Sequence, residues 1–391
     1  MEFLVFNLYQ LQMKISTVLI LVTLIFFQFG CSSTKKNILQ ETLASDNPKI
    51  KTVMLNPEEF ELQVIYTQIL RDKDNKVSFK DYTYRLNAEN YFYPASTFKF
   101  PIAILALEKL NTIANTSNET QFMIEGNLNK LKFSEEISKI FAVSDNEAST
   151  NLLEFLGFDA INESMKIKGL TPFRLSHRVS GSDPRGLATK PITLFKTDGS
   201  MVNIPSVYSK PSISLPLNKI KKGIGYMKND QLVNEPFDFS YKNYYPLETL
   251  HNTMKRIIFP EMFKESERFK LTDKDREFIL FSMQNLPKNA GYDPVEYYDG
   301  YCKFFMFGDT KVNIPANIKI YNKVGDAYGT LIDCAYIVDA ENKVEFIVSA
   351  TVLLNKDQIF NDDKYEYDAI GFPFLAELGR QLYTKNLNLK K

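Results

Sequence analysis

Pro94-Ala95-Ser96-Thr97-Phe98-Lys99-Phe100-Pro101, continued by the apolar run Ile102 to Leu110, is the stretch on which the fold of this chain turns. Before it the residues alternate as strands do; after it, to about residue 170, the periodicity is helical. Ser96 and Lys99 stand three positions apart, and residues i and i+3 share one face of a helix. The Lys99 amine therefore comes within reach of the Ser96 hydroxyl, a nucleophile with its base. Pro101 falls early in the helix, where losing one backbone donor costs least.

Upstream, Phe60, Leu62, Val64 and Tyr66 alternate with less apolar positions, and after Asp72-Lys73-Asp74-Asn75 come Val77, Phe79, Tyr82, Tyr84 and Leu86. Two such runs around a polar turn read as a hairpin. Downstream, Phe133 to Phe141 and Ala148 to Leu156 read as helices, the second stopped by Gly157. Residues 171–245 are broken by Pro205, Pro211, Pro216 and Pro236. A structureless loop of that length is unusual in a compact domain, so an insertion with short strands of its own is expected at about 185–245. Helices return at Pro246 to Ile258 and at Thr272 to Asn285, where Thr272-Asp273-Lys274-Asp275 makes a helix start.

Three strand-like runs follow, Ile318 to Lys323, Thr330 to Val338 and Val344 to Leu354, with turn residues between them, and then an amphipathic run from Tyr367 to Leu382. Neither strand group alone makes a large sheet. The expected fold is α+β: N- and C-terminal strands joined in one five-stranded antiparallel sheet flanked by helices, beside a mostly helical subdomain carrying the insertion.

Lys14, the apolar run Ile15 to Gly30 and Cys31-Ser32-Ser33 read as an export signal; the run is shorter than the ~20 residues a spanning helix needs. Gln28-Phe29-Gly30-Cys31 resembles the lipobox of bacterial lipoproteins, although Gln28 departs from the usual aliphatic residue. That resemblance implies lipidation at Cys31 and a membrane attachment through it; a plain membrane anchor is the alternative reading of the same run. The expected layout is a signal peptide at 1–31, a polar tether at 32–56 and one domain at 57–386, exported and lipid-anchored to the bacterial cell envelope, in the periplasm or at the outer membrane. Equal counts of 47 basic and 47 acidic residues argue against an electrostatic grip on nucleic acid.

Three short motifs keep a fixed order: Ser96-Thr97-Phe98-Lys99, then Ser144-Asp145-Asn146, then Lys323-Val324-Gly325. Each alone is weak, since the second suits a helix N-cap and the third an ordinary strand end. Together they resemble the S-x-x-K, S-D-N and K-T-G set of class A β-lactamases and penicillin-binding proteins, and the chain is similar to a class A-type serine β-lactamase over about residues 58–385, the insertion aside. The resemblance implies β-lactam hydrolysis through an acyl-enzyme on Ser96. Lys99 would be the base, Ser144 a proton relay to the leaving nitrogen, and Asn146 a holder of substrate amide or of Lys99. Lys323 and Gly325 would lie against the substrate, Lys323 meeting its carboxylate, and the backbone N–H groups of Ser96 and Asp326 would form the oxyanion hole.

Two departures bear on function. Val324 replaces a hydroxyl residue that would bind the substrate carboxylate. In Arg174-Leu175-Ser176-His177-Arg178-Val179-Ser180, which resembles the start of the omega loop, Val179 or Ser180 stands where the deacylating glutamate is sought. Slow release would make the protein a D-alanyl peptidase or esterase-like penicillin-binding protein; a non-catalytic binding or sensor domain is the reading from another class. His177 is either a substitute base or a loop histidine bonded to its neighbours, and His251, on a helix, is structural. Cys302 and Cys334 sit among apolar neighbours as buried thiols, or as a bridge. No metal, no cofactor, a β-lactam or cell-wall peptide as substrate, and a monomer complete the expectation.

Overall fold

The alternating runs at the two ends of the chain meet in one sheet. In the computed structural model, which describes residues 37–181 and 183–389, β1 (Gln63–Arg71) and β2 (Val77–Tyr84) form the N-terminal hairpin. The C-terminal meander comprises β3 (Ile318–Ala327), β4 (Thr330–Asp339) and β5 (Val344–Leu353). β5 pairs antiparallel with β1, Gln63 opposite Thr351, which gives one five-stranded sheet ordered β3-β4-β5-β1-β2. This is the expected α+β arrangement. β3 lies at the edge, so half of its backbone groups face away from any strand.

Side chains alternate across a strand, and both faces of this sheet are covered. Val64 and Tyr66 of β1 enter one core with Ile337, Phe346 and Val348, while Ile65 and Ile69 enter the other with Ile332, Cys334 and Ile347. Cys302 and Cys334 are free and buried, without a bridge.

The tether expected at 32–56 does not persist beyond Asn37: the chain folds there as α1 (Ile38–Leu43) and α2 (Pro48–Met54). Leu39 and Leu43 are four apart, Ile50 and Val53 three apart, and all four are buried against a core that includes Phe374, Leu375, Leu378 and Leu382 of the C-terminal helix. Asn47 caps α2, its side chain accepting from Lys49 N, with Pro48 at the first helical position. Cys31 and the apolar run before it lie outside the described residues.

α3 (Lys99–Leu110) runs through the middle of the helical lobe, with Phe100 to Leu107 buried on every side. A helix apolar all round must be surrounded, and α4 (Phe133–Ala142), α5 (Asn146–Leu156) and α6 (Phe158–Ile167) pack around it. Truncating Leu107 to Ala in such a site costs about 2–5 kcal/mol. α5 starts on Asp145, whose carboxylate accepts from Ala148 N at 2.7 Å, and stops at Gly157, φ +80°.

α7 (Leu247–Ile258) covers the Ile65 face of the sheet and α8 (Asp273–Gln284) starts on its Thr272 cap. α9 (Phe372–Leu389) covers the other face. Short strands occupy the 171–245 region. Ile192–Phe195 and Met201–Ile204 join Gln121–Ile124 and Leu131–Lys132 in a four-stranded sheet, and Gly225–Lys228 pairs with Gln231–Val233 and with Ile359–Phe360.

Candidate active site

Ser96 sits in a 3-10 turn, Ala95–Phe98, that leads into α3. The backbone of β3 presses directly on this turn. A β-carbon on Gly325 would lie 2.7 Å from Ser96 N and 3.0 Å from Thr97 N, so only glycine fits there. β3 turns into β4 at Tyr328-Gly329, both at positive φ (52° and 75°), a two-residue hairpin turn of the type that matches strand twist. Hydrogen-bonded and non-bonded pairs alternate along an antiparallel ladder. With Ala327 and Thr330 closing the hairpin, Asp326–Leu331 and Val324–Asp333 are the non-bonded pairs. The N–H of Asp326 and the carbonyl of Val324 therefore point off the sheet edge. Val324 O is used in this way, accepting from Lys323 Nζ at 2.8 Å.

The other motif groups converge on Ser144, whose backbone is left-handed at φ 58°. Lys99 Nζ donates to Ser144 O and, at 2.6 Å, to Asn146 Oδ1, and lies 3.5 Å from Ser144 Oγ. Lys323 Nζ donates to Ser144 Oγ at 2.8 Å. The expected Lys99–Ser96 bond is absent among the described residues; the amine is turned toward Ser144 and Asn146. Burial first, then the positive charge of Lys323, holds the Lys99 pKa well below its ordinary value. A neutral amine has two N–H donors and one lone pair. In that form Ser144 O and Asn146 Oδ1 would take the two donors, and the lone pair would be left for a hydroxyl proton. Burial also lowers Lys323, to about 8.

The Arg174–Ser180 segment is stapled by its arginines. Arg178 pairs with Glu154 of α5 at 2.7 Å, both side chains buried, and donates to Gly186 O and Ala188 O. Arg174 donates to Ile213 O, Ser240 O and Lys242 O in the insertion. Ser180 is bound to the motif helix: its Oγ donates to Asn146 O at 3.1 Å and lies 2.7 Å from Thr150 Oγ1. His177 Nδ1–H donates to Arg178 O at 2.7 Å, its ring is parallel to Tyr93, and burial lowers its pKa to about 4. Its Nε2 is buried without a partner among the described residues. His251 is held between Thr67 Oγ1 and Ser349 Oγ, far from these groups in the sheet–α7 core.

A cavity of about 1190 Å³ opens over Ser96, lined by Ser144, Asn146, Val324 and Asp326 among others. It reaches well beyond the motifs, to Lys242, Arg185, Tyr301, Tyr367 and Asp368. These residues come from segments with no periodic or motif signal, and sequence reasoning missed them. It also missed Asp183, a cavity-lining carboxylate three residues past Ser180. Ala95, Ser144 and Tyr328 are all non-glycine residues at positive φ on this wall. Each costs about 1–2 kcal/mol, and such strain concentrates where geometry is functional. No group of three His, Cys, Asp or Glu side chains among the described residues is placed to hold a metal ion.

A half-buried serine hydroxyl, a buried amine of lowered pKa and a glycine edge strand packed on the serine turn thus meet at one place. The fold is that of solved β-lactamases. Residues 48–197, which include the first two motifs, match the β-lactamase enzyme family. The structure is similar to a β-lactamase from Burkholderia vietnamiensis, with a TM-score of 0.52 at 11% identity over 91% of this chain and 99% of that one. It is similar too to a β-lactamase from Sphaerobacter thermophilus, with a TM-score of 0.50 at 12% identity over 89% and 96%. At these identities the likeness speaks for the fold. No curated protein matches the sequence.

Proposed function

We propose that the protein is a serine hydrolase that forms an acyl-enzyme on Ser96, acting on β-lactams or on related amides and esters. The observation that carries this reading is the Lys99 amine, buried, low in pKa and with both N–H donors already engaged. Its lone pair takes the Ser96 proton as Oγ attacks the carbonyl carbon. The oxyanion that forms accepts from the N–H groups of Ser96 and Asp326. When the C–N or C–O bond breaks, the proton passes through Ser144 Oγ to the leaving atom, and the acyl group stays on Ser96 until water releases it.

A second reading concerns release. Val179 has no acid–base group and Ser180 Oγ is engaged by Asn146 O and Thr150 Oγ1, so the positions where a deacylating carboxylate is sought contribute none. This favours slow release, as in a penicillin-binding protein. Incubating the purified domain with a chromogenic cephalosporin and a labelled penicillin separates the cases: a Ser96 adduct with turnover is a β-lactamase, a persistent adduct is a penicillin binder, and neither removes the β-lactam assignment. We propose in addition that Cys31 carries a lipid and places the domain on the cell envelope; a Cys31→Ser variant recovered wholly in the soluble fraction is the expected result.

A further inference from the structure

The edge strand that presses on Ser96 presents two faces. Lys323 and Gly325 turn toward Ser144 and the nucleophile turn. Val324 and Asp326, alternating with them, share the opposite face and both line the cavity. A substrate seated with its carbonyl at Ser96 shares the cavity with Asp326 and with Val324, whose side chain is almost wholly buried in the apolar core. Val324 offers no hydrogen bond. Asp326 is exposed in the cavity, and its carboxylate forms no hydrogen bond or ion pair with any described residue.

The charges that face this carboxylate sharpen its effect. Burial raises the Asp326 pKa, and the fields of Lys323 and Lys99 oppose that rise; Lys99 donates to Ser144 O and Asn146 Oδ1, and Lys323 donates to Ser144 Oγ and Val324 O, which leaves one of its three N–H groups for another acceptor. The field of Asp326 is felt at Tyr301 and Tyr367, which also line the cavity. An unpaired carboxylate flanked by tyrosines attracts a cation, through charge and through the aromatic faces, and repels a carboxylate. The other basic groups lining the cavity are Lys242, which donates to Tyr328 Oη at 3.4 Å at the β3–β4 turn, and Arg185.

We propose that Val324 and Asp326 set the specificity of the Ser96 site for acyl donors bearing a cationic or neutral group next to the scissile bond, an ammonium-bearing ester or amide, and against donors bearing a carboxylate there. The inference rests on the acyl-enzyme reading above. It makes anionic β-lactams acylating agents of low efficiency rather than the substrates for which the site is shaped.

Three aryl esters of one acyl group test it, matched in leaving-group acidity and differing only in a trimethylammonio, hydroxymethyl or carboxylate substituent. The readout is the rate of the phenol burst together with the mass of the Ser96 adduct. The cationic ester is expected to acylate at least tenfold faster than the anionic one, and the gap to shrink several-fold in Asp326→Asn and in Asp326→Ser. Val324→Thr combined with Asp326→Asn is expected to favour the anionic ester further. An anionic ester that matches or beats the cationic one in the unmodified protein overturns the proposal and leaves the hydrolase reading standing. A gap unmoved in both Asp326 variants does the same. No Ser96 adduct from any of the three overturns the hydrolase reading together with this one.

Discussion

The backbone of Gly325 packs against the amide of Ser96 so closely that a β-carbon on it would stand 2.7 Å from Ser96 N. The opposing atoms are backbone, so the contact cannot be relieved by rotating a side chain. Gly325→Ala must push β3 away from the nucleophile turn. Overpacking of this kind costs about 1–3 kcal/mol, and the displacement separates the two oxyanion donors. Acylation of Ser96 is expected to fall ~100-fold or more, as for loss of an oxyanion donor, with a melting temperature lowered by a few degrees. Normal acylation by the alanine variant would mean that the two donors do not act together.

Asn146 accepts one of the two N–H bonds of the Lys99 amine. Asn146→Ala leaves that donor buried without a partner, a loss of about 1–3 kcal/mol, and frees the amine to rotate. Acylation is expected to slow ~10²-fold, the range of one acid–base contribution, while Lys99→Ala abolishes it. Measured burst rates that are equal in the Asn146 variant and the parent would show that Lys99 needs no such hold.

Lys323 sets a pH limit that depends on the substrate. Burial lowers its pKa to about 8, so its charge is present below that pH and lost above it. Burial and the Lys323 charge hold the Lys99 pKa well below its ordinary value as well. For a substrate with a carboxylate held by Lys323, kcat/KM is expected to fall as pH rises through about 8; for a neutral ester the same limb stays flat. Parallel profiles for the two substrates would show that Lys323 does not bind the anion.

The parts legible in the sequence were those with a local signature. The alternation of Val64 and Tyr66, the cap at Thr272 and the stop at Gly157 are each set by neighbours in the chain, and the five-stranded sheet followed from them. So did the meeting of Lys99, Asn146 and Lys323 at Ser144 and of Gly325 with Ser96, because three ordered motifs resemble a known set. Gln121–Ile124 and Leu131–Lys132 passed unread because strands of four and two residues are too short to show a period. Asp183, Tyr301 and Asp368 reach the cavity by tertiary placement alone. α1 and α2 are different: Leu39/Leu43 and Ile50/Val53 carry helical spacing, and Asn47-Pro48 a helix start, masked by the polar residues around them.

That correction makes the N-terminal helices part of the domain. Ile50 and Val53 are fully buried, and Lys49 and Arg380 share Asp309 in an ion-pair network that ties α2 to α9. Ile50→Ala is expected to destabilise the domain by about 2–5 kcal/mol, visible in chemical denaturation. A tether would show no change.

Release of the acyl group is open to direct construction. Val179 lines the cavity and is half-buried at its edge, on a loop fixed by the Arg178–Glu154 pair. Val179→Glu would place a carboxylate beside Asn146 and the ester on Ser96, where it can take a proton from water. Its desolvation raises the carboxyl pKa toward neutrality, which suits a general base. The variant is expected to shorten the acyl-enzyme lifetime at least tenfold in time-resolved intact-mass measurements while leaving the acylation rate within a few-fold. Asp183 is the control, as the native cavity-lining carboxylate nearest Val179 in sequence. If Asp183→Asn lengthens the lifetime by a similar factor, release already runs through Asp183 and the slow-release reading fails; if only Val179→Glu changes it, the native wall lacks an effective base.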